Sequence, residues 1–380
     1  MDISDIKIGI DASFEGVPFK TGLSMIQNYE KTGFDCVVID DHLMNFFPEV
    51  LWEPEFIDAA KSVESPNNLY DMCTIISNVV MNTKKIQIAS GVTECFRRHP
   101  ADLAQFFLSQ NNLSKGRMIL GMGAGEYLNL IPYGIEYNKP VTRLRECIKI
   151  IKLLWREKKN VNFDGEIWKL KGACLGLKPY RKNKYPPIWV AAHGPQMLNL
   201  TGELADGWYP CKFHVSSPNI YKEKLEIIQE SAKKAEREPD KFIPSLFAPI
   251  IIDENKEEVN RMLESEALKI CGLFLNSQHF EKYGVSHPIG DSFDGLVQFI
   301  PSLYNRKQMI EILEKIPQGV YNEFGFAGTS DEIISIIEDY ARVGLKYIIL
   351  YDQTVMVDMN KMNDVQKSFA KVLDYFKDQR

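Results

Sequence analysis

Residues 115–137 read KGRMILGMGAGEYLNLIPYGIEY, and this stretch predicts a buried strand that opens into a turn without side chains. Its apolar run RMIL is too short for a helix. Gly121, Gly123 and Gly125 follow at alternate positions, and glycine suits a backbone that takes positive φ or that a flat ligand approaches closely. Glu126 is the first ionisable side chain beyond them. We therefore expect a carboxyl group beside a surface on which a ring can lie.

The same glycines also resemble the G-x-G-x-x-G pattern of a dinucleotide-binding loop. In that loop the last glycine opens a helix whose amino end faces a pyrophosphate. Here Pro132, Gly134 and Pro140 interrupt the chain before a long helix can begin, and the third glycine stands one position early. The pattern therefore disfavours a dinucleotide loop, and a plain glycine turn with a surface glutamate is the other alternative.

The composition is typical of a soluble globular protein. The sequence has 380 residues, of which 45% are hydrophobic and 25% charged, and its net charge is -6. An acidic chain without a local stripe of lysine and arginine is not expected to bind nucleic acid. No apolar run approaches the ~20 residues of a membrane span, and the acidic start does not resemble a signal peptide. These observations predict a cytoplasmic protein.

The cysteines and histidines show no metal-binding pattern. The seven cysteines are scattered and never form C-x-x-C, which is typical of reduced thiols. The six histidines have no spacing that suits metal ligands. We therefore expect no metal site.

Apolar runs of strand length alternate with stretches of helical period along most of the chain. The predicted strands are residues 7–11, 34–40, 86–90, 117–121, 188–191, 207–209, 242–252 and 347–350. The predicted helices are residues 21–32, 69–81, 101–113, 143–155, 196–204, 219–235, 256–270 and 331–343. Eight such units predict a parallel sheet that closes as a (β/α)₈ barrel, with its active site at the carboxyl ends of the strands. An open doubly wound sheet is the alternative.

Three inserted segments interrupt this alternation. The first, at about 43–66, is rich in proline and aromatic residues. The second, at about 158–186, contains a predicted β-hairpin around an Asp-Gly turn at 164–165. The third, at about 271–320, is predicted to be partly helical. We predict a single barrel domain over residues 1–380 that carries these insertions.

Ionisable residues stand where the second predicted strand ends. Asp40, Asp41 and His42 run from that strand into the aromatic loop. A histidine at this position can give or take a proton near neutral pH. A histidine that only caps a loop carbonyl is equally compatible with the sequence.

Two further strand ends are unusual. After the third strand, the stretch GVTECFRRHP at 91–100 loses the strand pattern before the next helix begins, which predicts either a bulge or strained peptide that supports a ring, or an ordinary loop. After the fifth strand, His193, Gly194, Pro195 and Gln196 lead into a helix. Proline suits a first helical turn, and the free N–H groups of such a turn can bind a phosphate, although a plain tight turn is the alternative.

Several of these stretches resemble one family. GRMILGMGAGEYLN at 116–129, RRHPADLAQ at 97–105 and WVAAHGPQMLNLTGELADGW at 189–208 are similar to the bacterial-luciferase-like superfamily of flavin and deazaflavin oxidoreductases. The G-x-G-x-G-E-x-x-N form at 121–129 resembles the branch that uses the deazaflavin coenzyme F420. DHL at 41–43, NKPVTRL at 138–144 and YGVSHPIG at 283–290 resemble the phthiodiolone ketoreductase-like group within that branch.

The resemblance implies a role for each residue that matches the family motifs. His42 and Glu126 match the active-site histidine and glutamate beside the deazaflavin ring, and Asp41 matches a polar contact to the ring. The other matches are cofactor-binding positions: Thr93 and Glu94 at a bulge with a non-proline cis peptide, Gly121, Gly123, Gly125 and Asn129 in the glycine stretch, and His193, Gly194, Pro195 and Gln196 around the cofactor phosphate.

The activity implied by the resemblance is hydride transfer between carbon 5 of coenzyme F420 and a carbonyl or similarly polarised carbon of a small molecule, by a homodimer. We expect Glu126 to donate a proton, since burial raises a carboxyl pKa, and His42 to be held protonated by the neighbouring acids. The alternatives are an FMN-dependent monooxygenase, a methylenetetrahydromethanopterin reductase-like enzyme, and a barrel that only binds cofactor. Phe46 and Phe47 stand where the sugar-phosphate dehydrogenases of this branch carry a tryptophan, which argues against a sugar phosphate.

Overall fold

The computed structural model describes residues 6–12, 14, 16–157 and 159–379. Two sequence expectations touch residues outside these ranges. They concern the first five residues, which do not resemble a signal peptide, and residue 158, where the second inserted segment is expected to begin. Within the described ranges, no helix combines the length and the apolar character needed to cross a membrane.

Parallel strands form a closed ring at the centre of the molecule. The strands of the described residues, in the ring and outside it, are β1 (Lys7–Asp11), β2 (Cys36–Ile39), β3 (Gln87–Ser90), β4 (Met118–Met122), β5 (Val161–Asp164), β6 (Lys169–Ala173), β7 (Ile188–Val190), β8 (Gly207–Trp208), β9 (Ile243–Ile252), β10 (Phe326–Gly328) and β11 (Tyr347–Asp352). The ring runs β1-β2-β3-β4-β7-β8-β9-β11 and back to β1, because β9 pairs with both β8 and β11. Closure leaves no free edge in this ring, so the predicted (β/α)₈ barrel is confirmed and the open-sheet alternative is excluded.

Helices follow the barrel strands and pack on them through one large hydrophobic core. The helices are α1 (Phe19–Thr32), α2 (Met72–Asn82), α3 (Pro100–Leu113), α4 (Pro140–Arg156), α5 (Pro195–Leu204), α6 (Pro218–Lys234), α7 (Lys256–Leu263), α8 (Ser277–Glu281), α9 (Arg306–Leu313), α10 (Tyr321–Phe324), α11 (Ser330–Arg342), α12 (Thr354–Val357) and α13 (Met362–Asp378). Most predicted helices are therefore confirmed to within a few residues of their ends.

The predicted helix at 256–270 is wrong in its second half. Helix α7 ends at Leu263, and a 3₁₀ segment runs from Glu266 to Phe274. Nearly every side chain of that segment from residue 267 onward is buried. A surface helix buries one face only, so packing on all sides has overridden the helical period here.

Strand β10, helix α13 and the four-residue helices α10 and α12 were not predicted. Strand β10 has only three residues, too few to show a period, and it pairs with the carboxyl half of β9. Helix α13 buries Val365, Phe369, Val372 and Phe376. That spacing is a helical stripe in the sequence itself, so the pattern was present and could have been recognised.

Two of the expected inserted segments share a hydrophobic core of their own. Phe47, Leu51 and Ile57 from the loop after β2 pack with a buried set that extends from Val259 through Phe324. We call this second core, formed by residues 46–60 and 259–324, the roof. It lies against the barrel through Phe213 and Ile251. The loop after β2 is therefore held by packing against a distant part of the chain.

The predicted hairpin of the second inserted segment is confirmed. Strands β5 and β6 pair antiparallel, with Asp164 opposite Lys169. The buried carboxylate of Glu146 on α4 accepts hydrogen bonds from the backbone N–H groups of Glu166, Ile167 and Trp168. The turn is thereby tied to the barrel's helix layer.

The glycine at the end of β4 is required by the neighbouring strand. A Cβ on Gly121 would fall well inside van der Waals contact with the carbonyl oxygen of Ser90 on β3. The hydroxyl of Ser90 also donates to the Gly121 carbonyl and accepts from its N–H. Gly121 was expected at the cofactor ring, but it lies within the barrel wall, and its glycine identity is explained by strand packing.

We predict that Gly121→Ala destabilises the barrel by at least about 2 kcal/mol, because a backbone carbonyl cannot move aside as a flexible side chain can. Gly176→Ala is the matched control, since a Cβ there meets nothing within 4 Å. That control should change the free energy of unfolding by less than about 0.5 kcal/mol. Urea denaturation of the three proteins measures both values, and equal midpoints for the two variants would contradict the packing argument.

Candidate active site

A cavity of about 640 Å³ opens at the carboxyl ends of the barrel strands and beneath the roof. This volume is within the range of small-molecule and cofactor sites. Aromatic side chains supply much of its wall, among them Phe46 and Phe274 from the roof and Phe213 and Phe247 from the barrel. The expected site residues line this cavity except Thr93, Gly121, Pro195 and Gln196.

His42 follows β2 and Glu126 follows β4, and Asn129 links the two side chains. The amide Nδ2 of Asn129 lies 2.8 Å from His42 Nδ1 and 3.5 Å from Glu126 Oε2. The direct distance from His42 Nδ1 to Glu126 Oε2 is 3.8 Å, which is too long for a hydrogen bond. Asn129 was expected among the cofactor contacts, and its link between the two ionisable groups was not predicted.

The environment of Glu126 favours its protonated form. Burial raises the pKa of the Glu126 carboxyl, and the neighbouring Asp40 and Glu94 raise it further, while His42 acts in the opposite direction. The net pKa lies above the ordinary glutamate value. A carboxyl group in this state can keep a proton closer to neutral pH and release it to a reacting atom.

Asp41 is held behind the cavity wall by a buried ion cluster. Its carboxylate accepts two hydrogen bonds from Arg98, at 2.9 and 3.0 Å, and a third from the Thr93 hydroxyl at 2.6 Å. Arg97 donates to the Asp41 carbonyl oxygen at 2.6 Å. Burial would raise the pKa of Asp41, but the hydrogen bond from Arg98 and the charges of Arg97 and Arg98 outweigh it and hold the pKa below its ordinary value. The structure places this carboxylate against arginines, whereas a contact to the ring was expected.

Thr93 and Glu94 also have their side chains engaged inside the protein. The Thr93 hydroxyl donates to Asp41, and the Glu94 carboxylate accepts from the backbone N–H and the guanidinium of Arg97. The cis peptide expected at these two residues lies earlier, between Gly91 and Val92. The double arginine at 97–98 was the available signal for this cluster, but its contacts join the ends of two different strands, β2 and β3, and cannot be read from one segment.

The two remaining glycines of the quoted stretch line the cavity. A Cβ on Gly123 would meet the Val92 side chain at 2.8 Å, and Gly125 has φ +87°. Positive φ at Gly125 is the left-handed conformation that favours glycine. Glycine is therefore required at 123 by the Val92 side chain and favoured at 125 by the backbone, and both residues lie on the cavity wall next to Glu126.

The segment before α5 presents an open helix start and a half-buried histidine that stacks on another. Gly194 is the N-cap of α5, and a Cβ there would meet nothing within 4 Å. The ring of His193 stacks on that of His214 with centroids 3.7 Å apart. Burial, together with the charge of Lys224, lowers the pKa of His193 to about 3, so this ring is neutral at physiological pH. Pro195 and Gln196 are exposed beside the helix start.

The fold and the cavity together define the class of protein: a (β/α)₈ barrel with its site at the carboxyl ends of the strands, as in barrel enzymes generally. The chain belongs to the luciferase-like monooxygenase family, whose model matches residues 7–347. The resemblance stated from the sequence is thereby confirmed.

Individual relatives carry several different activities. The chain is 33% identical over 327 residues to the phthiodiolone/phenolphthiodiolone dimycocerosates ketoreductase of Mycobacterium bovis, covering 85% of each chain. An F420-dependent secondary alcohol dehydrogenase, solved with an F420-acetone adduct, superposes with a TM-score of 0.74 at 20% identity and covers 97% of this chain and 99% of that one. A riboflavin lyase solved with modified FMN and riboflavin superposes with a TM-score of 0.71 at 13% identity, covering 98% and 92%. These two structures share the fold, and relatives of this oxidoreductase family include F420-dependent enzymes.

We predict that Arg98→Met destabilises the protein by on the order of 3 kcal/mol at neutral pH, because it leaves the buried Asp41 charge with fewer partners. The loss should shrink as the pH falls below about 4, since the ion pair stabilises the fold only while Asp41 is ionised and its folded pKa lies below the unfolded one. Urea denaturation at pH ~3, below the ordinary pKa of an aspartate, and at pH ~7, well above it, gives the comparison.

Asp71→Asn is the matched control for this prediction. Arg98 also pairs with the half-exposed Asp71 at 3.0 Å, and asparagine preserves the helix cap that Asp71 provides to α2. Loss of this exposed pair should cost less than about 1 kcal/mol. A similar loss of unfolding free energy in both variants would show that the buried cluster contributes no more to stability than the exposed pair.

Proposed function

We propose that this protein is a coenzyme F420-dependent oxidoreductase that transfers a hydride between the deazaflavin and a carbonyl or similarly polarised carbon of a small, largely apolar substrate. The observation that carries the proposal is the His42–Asn129–Glu126 group, which faces an aromatic cavity. A barrel that only binds cofactor has no need of two proton-carrying groups held together in this way.

The residues of the cavity fit a flat, phosphorylated cofactor. Gly123 and Gly125 lie on the cavity wall next to Glu126, and the N–H groups at the start of α5, next to the open position of Gly194, suit a phosphate. Two buried polar atoms on the cavity wall, Tyr209 Oη and His193 Nδ1, have no hydrogen-bond partner among the described residues. Such atoms are available to the polar edge of a bound ligand. When bound, a deazaflavin supplies the hydride-carrying carbon of the reaction.

The chain's own residues would then handle the substrate oxygen and its proton. Reduction of a carbonyl carbon leaves an alkoxide, which needs a proton from a positioned acid. Glu126 is suited to this step because its raised pKa keeps a proton available. His42, 14% exposed at the cavity, would bind the substrate oxygen beside it.

The wall favours an apolar substrate over a sugar phosphate. Among the described residues that line the cavity, Lys224 is the one lysine or arginine, and its amino group is bonded to the His214 carbonyl. Phe46 packs edge-on against His42 with centroids 5.1 Å apart, and Phe274 lies behind it. The departure from the sugar-phosphate dehydrogenases noted in the sequence therefore lies directly beside His42. The names of two relatives, a ketoreductase and a secondary alcohol dehydrogenase, also support a carbonyl carbon as the reacting atom of the substrate.

The homodimer and the cytoplasmic location stay predictions from the sequence. The resemblance to the family supports the first, and the composition of the sequence supports the second. The size of the protein in dilute solution, measured by light scattering, tests the first.

Titration with the two candidate cofactors should show micromolar or tighter binding of coenzyme F420, with FMN at least about tenfold weaker, which corresponds to about 1.4 kcal/mol. The protein should then oxidise reduced coenzyme F420 without oxygen when ketones, enones or methylene pterins are supplied. FMN binding of equal strength with oxygen consumption would instead identify a monooxygenase. Absence of turnover with every acceptor would leave a cofactor-binding barrel.

We predict that Glu126→Gln keeps cofactor affinity and loses ~10²- to 10⁴-fold in turnover, because glutamine has a similar shape but cannot donate a proton as an acid. This loss corresponds to about 3 to 5.5 kcal/mol of barrier. In the wild type, ketone reduction should slow as the pH rises through the raised pKa of Glu126. Steady-state kinetics and cofactor titration of the same preparations measure these effects.

Glu136→Gln is the matched control, since Glu136 is exposed and does not line the cavity. Near-normal turnover of Glu126→Gln together with an inactive His42→Ala enzyme would reverse the assignment and make His42 the acid. If both variants stayed active, the chemistry would lie elsewhere.

A further inference from the structure

We propose that Asn129 is a positioning residue that holds His42 as the neutral imidazole with its proton on Nε2. The inference concerns the residues of this chain, and its catalytic meaning rests on the proposed function. It also replaces the protonated His42 expected from the sequence with a neutral ring, while Glu126 keeps its expected task as the proton donor.

The orientation of the Asn129 amide is fixed by a backbone group. The N–H of Leu43 donates to Asn129 Oδ1 at 2.8 Å. A backbone N–H can only donate, so the oxygen and not the nitrogen of this amide must face Leu43. The assignment of oxygen and nitrogen therefore does not depend on the state of the histidine.

With the amide oriented in this way, its Nδ2 is the group 2.8 Å from His42 Nδ1. Nδ2 carries two hydrogens and cannot accept, so Nδ1 has to accept with its lone pair. An imidazolium would place an N–H of the ring against an N–H of the amide at this distance. The hydrogen-bond pattern thus selects the neutral ring that carries its single proton on Nε2.

The charges around the ring do not reverse this choice. His42 was expected to be protonated because Asp40 and Asp41 precede it. The carboxylate of Asp41 is bound by Arg98 and Thr93, and the charge of Arg97 lies close to it as well. Glu126, 3.8 Å from Nδ1, favours its own neutral form because of burial. Of the carboxylates around the histidine, that of Asp41 is therefore offset by arginines and that of Glu126 is disposed to be neutral.

A neutral imidazole and a protonated carboxyl divide the work on a substrate oxygen. The Nε2–H of a neutral ring is a very weak acid, so it can hydrogen-bond to the oxygen and polarise it but does not give up its proton. The proton then has to come from Glu126. Asn129 keeps the two tasks apart, since its Nδ2 occupies Nδ1 of the histidine and leaves the Glu126 proton for the substrate.

The direct test is the ¹⁵N NMR spectrum of the histidine rings in the cofactor-free protein, with the His42 signals identified by their loss in His42→Gln. We expect one unprotonated nitrogen, Nδ1, and one protonated nitrogen, Nε2, at neutral pH. A wild-type ring protonated on Nδ1, alone or together with Nε2, would overturn the proposal whether or not the enzyme is active. This result needs no variant at position 129 and no cofactor.

Asn129→Asp supplies the converse experiment. An aspartate accepts where the amide donates, so Nδ1 of His42 should become protonated, and turnover should fall at least about tenfold through kcat, with cofactor affinity within about threefold of the wild type. Asn45→Asp is the matched control: it adds a charge on the same cavity, while its side chain still accepts from the Phe47 N–H and the ring of His42 keeps its amide partner. The His42 tautomer should be unchanged in that control.

The outcomes separate this inference from the proposed function. If Asn129 served only to hold the cofactor, Asn129→Asp would weaken cofactor binding and leave the histidine tautomer as in the wild type, which would refute a positioning role. If the tautomers behave as expected but reduced coenzyme F420 supports no turnover of any acceptor, the assignment of Asn129 stands and the proposed activity fails.

Discussion

The site depends on one buried charge, the carboxylate of Asp41. An ionised group that is 3% exposed is tolerated only when it is paired and hydrogen-bonded, and Arg98, Arg97 and Thr93 satisfy that requirement. These partners follow β3, whereas Asp41 follows β2, so the cluster holds the segment after β2 against the segment after β3. His42 is the adjacent residue. The position of His42 at the cavity therefore depends on the Asp41 ion cluster as well as on the barrel itself.

In front of that wall, burial acts in the opposite direction and favours neutral groups. It raises the pKa of Glu126 and lowers that of His193 to about 3. Each shift disfavours the charged form, as expected where water is excluded. The ionised cluster and the groups that burial disposes to be neutral thus differ in their partners. Hydride chemistry benefits from this separation, because a proton can be stored without a permanent charge beside the reacting carbon.

The sequence predicted the barrel because each strand and helix carries its own period, and the period is local. It also placed His42, Glu126 and Gly194 at strand ends, because the barrel converts position along the chain into position around the cavity. The links between strand ends were not predicted. The contacts of Asp41 with Arg98 and of Asn129 with His42 depend on loop geometry across the ring, which no single segment encodes. Gly121 shows the reverse error: a glycine attributed to a ligand is explained by the carbonyl of Ser90.

The roof has a hydrophobic core that is largely separate from that of the barrel. Its aromatic residues Phe46 and Phe274 meet over His42, yet they come from segments more than two hundred residues apart. The roof can therefore be remodelled in evolution without disturbing the strands that carry the proton-handling groups, since each core is stabilised by its own contacts. Such an arrangement lets the barrel keep the same catalytic groups while the roof changes, so that relatives with one kind of chemistry can act on very different substrates.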